Sequence, residues 1–143
     1  MVAACNGSDA PIVPAHDACA PLALVTTSVV DVQRLALDAA QSLWRDRGAP
    51  ALGLRASSTL EVRFEPAAEV FHGLYDDAQD LIYINAGLED PNVLAIVIAH
   101  ELGHAFGLVH VTDRISIMNA GNLTTPPTEA DQGALQGLWG TCM

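Results

Sequence analysis

Residues 100–110 read His100-Glu101-Leu102-Gly103-His104-Ala105-Phe106-Gly107-Leu108-Val109-His110. On a helix, residues four apart share a face, so the imidazoles of His100 and His104 project together. That spacing suits two nitrogen ligands of one tetrahedral zinc. Glu101 follows the first of them. Its carboxylate can reach a water on the metal without being a ligand, which is where a general base is needed. Gly107 can take φ > 0, ending the helix and turning the chain. His110 then swings back as a third ligand and leaves a fourth position for water. The stretch therefore predicts one catalytic zinc ion held by His100, His104 and His110, with Glu101 as the catalytic residue.

Outward from this stretch, the helix that delivers it begins at Asp90-Pro91, with Asp90 capping and Pro91 at the first helical position, where its missing N–H costs nothing. Val93, Leu94, Ile96, Val97 and Ile98 make the helix apolar nearly all round, the mark of a buried central helix. Upstream, residues 59–65 alternate, with Leu60, Val62 and Phe64 on one face of a half-buried strand. Two further extended runs, 69–75 and 80–85, are split by the acidic turn Asp76-Asp77-Ala78-Gln79. Residues 22–26 read as a short strand. Residues 28–47 show helical spacing of Val29, Val32, Leu35, Ala36, Ala39, Ala40 and Leu43, with Thr27 or Ser28 as cap and Gly48 as stop. After His110 the pattern is irregular to Pro127. A last helix over 128–138 has Thr128 as cap, Asp131 in its first turn, and Leu135 and Leu138 facing in.

The chain has 143 residues, half of them apolar, which suits one globular domain with a single core. No apolar run is long enough to span a membrane as a helix. Seventeen acidic against six basic residues give a net charge of -11, which argues against nucleic acid and anionic lipid as partners.

The pattern His-Glu-x-x-His-x-x-Gly-x-x-His resembles the signature of the metzincin clan of zinc metallopeptidases. Met118, in Ser116-Ile117-Met118-Asn119, is similarly placed to the Met-turn that underlies the three histidines in that clan. The matrix metalloproteinase (matrixin) branch looks closest, because its closing helix resembles residues 128–140, which end in Trp139-Gly140. Val111 stands where that branch has Ser, and no Tyr follows Met118 closely, so an astacin-type tyrosine ligand is not expected. The resemblance implies an α+β, zincin-like fold: a small twisted mixed sheet packed on the active-site helix, then a C-terminal helix after the Met-turn. It implies a zinc-dependent endopeptidase acting on peptides or proteins as a minimal, monomeric catalytic domain. The alternatives are a zinc-stabilised binding or surface protein without turnover, and a latent form of the enzyme.

By the same resemblance, residues 80–85 are the candidate substrate strand, with Ile82, Tyr83, Ile84 and Asn85 pairing an extended peptide at a free edge. Asn119 and Leu123, in the loop over 119–127, are expected to wall the pocket for an apolar side chain after the scissile bond. The loops that hold a structural zinc and calcium ions in matrix metalloproteinases have no room between Phe71 and Asn85. His72, Asp76, Asp77 and Asp80 are candidate calcium ligands, and a solvated turn is the favoured reading.

Three cysteines, Cys5, Cys19 and Cys142, lie near the ends of the chain. Cys19 with Cys142 is the preferred disulfide, fastening the start of the domain to its last turn; the alternative is free thiols in a reducing compartment. Residues 1–20, with Gly7, Ser8, Pro11 and Pro14, are expected to form a tether or short pro-segment ahead of a catalytic domain at 21–143. Val2-Ala3-Ala4-Cys5 resembles the lipobox of bacterial lipoproteins, although the charged start and apolar stretch that precede a lipobox are missing. That resemblance implies lipid anchoring through Cys5 and a secreted or surface-tethered, extracytoplasmic bacterial protein. In a latent form, Cys5, His16, Asp17 or Cys19 would occupy the fourth zinc position.

Overall fold

The computed structural model describes residues 15–143. In chain order the elements are β1 (Ala23–Val25), α1 (Asp31–Arg45), β2 (Thr59–Glu65), β3 (Gly73–Asp76), β4 (Leu81–Asn85), α2 (Pro91–Ala105) and α3 (Glu129–Trp139). The four strands form one mixed sheet in the order β1-β2-β4-β3. β1, β2 and β4 run parallel, and β3 returns antiparallel to β4 at the edge. The fold is α+β, with a mixed sheet and helices in the order the sequence implied.

The alternation of β2 does what its pattern dictates: Leu60 and Val62 are buried, while Glu61 and Arg63 lie outward and pair with each other. α1 covers the core with Ala36, Leu37, Ala40 and Trp44. It begins three residues later than the sequence suggested. Neither Thr27 nor Ser28 caps it; Val30 stands at the cap, and the side-chain carbonyl of Gln33 accepts its N–H at 3.0 Å. Leu35 faces solvent rather than the core.

α2 is the axle of the domain. Asp90 accepts from the N–H groups of Asn92 and Val93, which satisfies two donors that a helix start leaves open. Every residue from Leu94 to Ala105 is buried. Trp44 of α1 donates its indole N–H to the carbonyl of Ala99 at 2.8 Å, pegging the two helices together. On the other side, Trp139 of α3 donates to the carbonyl of Phe106 at 2.8 Å. Leu135 anchors α3 in the core, whereas Leu138, expected to face in, is about half exposed.

Cys19 and Cys142 form a disulfide across 123 positions of sequence. Residues 15–20 dock on the domain: Ala18 is buried, and the N–H of His16 donates to the carbonyl of Ala105 at 2.8 Å. The apolar contact and the disulfide hold residues 15–20 in place. Cys5 and the rest of residues 1–14 lie outside the described residues. Among the described residues, no helix is long and apolar enough to cross a membrane.

Candidate metal centre

The end of α2 is a Schellman turn. The N–H of Leu108 returns to the carbonyl of Gly103 at 2.9 Å and that of Gly107 to His104 at 2.9 Å, with Gly107 at φ 101. Only a residue comfortable at positive φ can make this turn, and it carries His110 back towards His100 and His104. The ligating nitrogens of the three histidines lie within 4.8 Å of one another. Among the described residues they are the one group of three or more metal-ligating side chains.

Two carbonyls set the rings. The Nδ1 of His100 contacts the carbonyl oxygen of Ile117 at 2.6 Å, and the Nδ1 of His104 that of Leu108 at 2.9 Å. A carbonyl only accepts, so each Nδ1 carries the proton and each Nε2 keeps its lone pair. Burial pushes the pKa of His100 down to about 4 and that of His104 to about 3, which keeps both rings neutral, as ligands must be. The buried Nε2 of His100 has no hydrogen-bond partner among the described residues. An orphaned buried nitrogen between two neighbouring imidazoles is a donor set made for a metal ion. Glu101, on the same turn of α2, is 1% exposed.

Met118 packs against Gly103, the residue before His104: a Cβ built at Gly103 would overlap its sulfur. Its turn is closely tied. Ser116 Oγ accepts the N–H of Met118 at 2.9 Å, and Asn119 Oδ1 accepts that of Ser116 at 2.9 Å. Asp131, with its side chain only 1% exposed, takes hydrogen bonds from Ser116 Oγ (2.5 Å), Arg114 Nη1 (2.7 Å) and the N–H groups of Ile117 and Thr128 (both 2.9 Å). Burial alone would raise its pKa; these donors outweigh it and hold the carboxylate below its ordinary range. In the sequence, Asp131 reads only as a helix-start charge. The Thr128-to-Asp131 spacing marked the cap, but nothing local marked the reach to Ser116 and Ile117.

The assignment of β4 as substrate strand is overturned. β4 pairs with β2 on one side and β3 on the other, so it has no free edge. Ile82 and Ile84 are buried in the core. Tyr83 lies opposite Arg63 and Leu74 in the ladders. Asn85 spends its side chain on the carbonyls of Ala68 and Phe71 and the N–H of Gly87. The apolar residues Leu81, Ile82 and Ile84 were the available signal, since near-continuous burial marks an interior strand. The edge strands are β3 and, on the far side, β1. Asn119 likewise braces its own turn, donating to the carbonyls of Val111 and Arg114. Leu123 does line an open groove of about 540 Å³ with Leu43, Val93, Ile96 and Pro126. Ile96 is one helical turn ahead of His100.

Of the residues considered for a blocked site, Cys5 lies outside the described residues and the other three are engaged elsewhere. Cys19 is in the disulfide, Asp17 accepts the N–H of Cys19, and His16 Nε2 donates to Asp80 Oδ1 at 2.7 Å. The acidic turn is wired internally: Asp76 accepts from the N–H groups of Ala78 and Gln79 and from the Gln79 amide, and Asp80 also accepts from Tyr75 OH.

Comparison with known proteins agrees with this geometry. The family model described as Matrixin matches residues 36–139. The crystal structure of myroilysin is similar in fold, with a TM-score of 0.62 at 11% identity, covering 96% of this chain and 91% of that one. No curated protein sequence matches.

Proposed function

The chain belongs to the matrixin family and is a metallopeptidase, and from that premise we propose a zinc-dependent endopeptidase with Glu101 as its general base. The observation that carries the proposal is the convergence of three histidine nitrogens within 4.8 Å beside a buried glutamate on the same helix end. Zinc is the ion this family implies, and His100, His104 and His110 would hold it. When bound, it supplies the positive charge that lowers the pKa of a water towards about 7 and polarises a peptide carbonyl. Glu101 would serve as the general base that accepts a proton from the attacking water and as the acid that hands it to the departing amine. Ile117 and Leu108 keep His100 and His104 in the tautomer that offers Nε2.

An extended peptide would pair with the outer edge of β3, the edge strand that packs against α2. The groove at Leu123 would take an apolar side chain from beyond the scissile bond. The Cys19–Cys142 disulfide suits an oxidising, extracytoplasmic setting, whether the protein is secreted or tethered through Cys5. The test is zinc content set beside cleavage of a diverse quenched-peptide library, with a chelator control. One zinc per chain and chelator-sensitive cleavage are expected. One zinc per chain without any cleavage would sink the proposal in favour of a non-catalytic zinc protein.

A further inference from the structure

His16 stands where three parts of the molecule meet. Its backbone N–H donates to the carbonyl of Ala105, the last residue of α2 and the neighbour of His104. Its Nε2 donates to Asp80 Oδ1 at 2.7 Å. The same oxygen accepts the hydroxyl of Tyr75 at 2.7 Å, and Tyr75 is a buried residue of edge strand β3. Asp80 presents its carboxylate from φ 55, a left-handed conformation that side chains other than those of Asn and Asp adopt at some cost. The segment bearing His16 is itself fastened, by the burial of Ala18 and by the Cys19–Cys142 disulfide.

These contacts form one line: the metal-bearing end of α2, His16, Asp80, Tyr75, β3. Otherwise the β3–β4 turn is an exposed hairpin tip, with Gln79 facing solvent, and such tips shift at little cost. We propose that His16 is a positioning residue that fixes the edge strand relative to the metal centre, through Asp80 and Tyr75. The inference rests on the reading of β3 as the strand that pairs with the peptide. Its function would be geometric: a peptide bond reacts only if the strand holding it and the metal facing it keep their separation, and small misplacements are expensive in rate. A ligand that touches only the metal would not sense His16. A ligand that spans metal and edge strand would.

Two hydroxamates separate these cases on the zinc-loaded full chain: acetohydroxamate, which reaches only the metal, and a peptidyl hydroxamate long enough to lie along β3. In His16→Ala, the peptidyl compound should bind about tenfold more weakly or worse, because the two halves of its site are no longer prearranged. Acetohydroxamate should be unchanged. Tyr75→Phe removes one hydroxyl and should show the same selective loss even if His16→Ala fails to fold. His16→Gln, whose amide nitrogen can still donate to Asp80, should restore binding. Equal weakening of both ligands, or no weakening of either, would overturn the inference. So would a parent that binds the peptidyl compound no better than acetohydroxamate. Peptide hydrolysis by the parent is scored separately: if it is absent while the hydroxamate contrast holds, the proposed activity fails and the positioning role stands.

Discussion

The carbonyl of Ile117 takes the Nδ1 proton of His100 at 2.6 Å, so the residue just before Met118 orients a ligand candidate 17 positions earlier in the chain. The N–H of the same residue is held by Asp131 at 2.9 Å. One residue thus links a buried carboxylate to the tautomer of His100, and what loosens Asp131 should be felt at the metal.

Asp131→Ala leaves Ser116 Oγ and the N–H groups of Ile117 and Thr128 without their acceptor. Unpaired buried donors cost about 1–3 kcal/mol each before relaxation, so a loss of about 3 kcal/mol is expected in urea unfolding. Zinc affinity should fall about 10–100-fold in a chelator competition, the usual effect of removing support behind a ligand. Unchanged zinc affinity would disconnect Asp131 from the site.

Gly103→Ala sets two effects against each other. Alanine favours a helix interior by about 1 kcal/mol over glycine. The new Cβ, however, meets the Met118 sulfur and approaches Trp44 to 3.4 Å, and overpacking of this kind costs about 1–3 kcal/mol. Net destabilisation is expected, and Met118→Ala in the same chain should recover part of it. A Gly103→Ala protein as stable as the parent would mean that Met118 moves aside freely.

The metal-free protein should lose stability in mild acid. His100 and His104 have folded pKa values of about 4 and about 3, against 6.5 unfolded. Below 6.5 the unfolded chain binds protons that the fold excludes. The contribution of the neutral rings is therefore complete above about pH 6.5 and is lost as pH falls towards 4 and then 3. Urea midpoints taken without metal from pH 7.5 to 4.5 should decline. A midpoint that rises on acidification would contradict the burial of these rings.

Reducing the Cys19–Cys142 bridge, or replacing both cysteines with serine, reopens a loop of 123 positions. Loop-closure entropy puts the loss at about 3–5 kcal/mol. A redox-insensitive denaturation curve would show that residues 15–20 hold by packing alone.

Much of the fold and the metal site was legible because it is written locally. Helical spacing of His100 and His104, Gly107 at the turn, Asp90-Pro91 at the start of α2 and the alternation of β2 each depend on neighbours within a turn or two. The identity of the edge strand was not legible, because pairing order is decided by partners far apart in sequence. An interior β4 and an edge β3 differ in what lies beside them, and only the apolar run of β4 hinted at the answer. The start of α1 was missed because a glutamine three residues in, rather than a serine or threonine, closes its first turn. His16 was a candidate occupant of the fourth zinc position only in a latent form; its partner in the fold, Asp80, is 64 positions away.

The most direct test compares Glu101→Ala with the parent, both loaded with zinc, on the same quenched peptides. The account predicts one zinc per chain in both and a loss of nearly all turnover in the variant, with the fold intact. A variant that keeps its zinc and cleaves like the parent would contradict it.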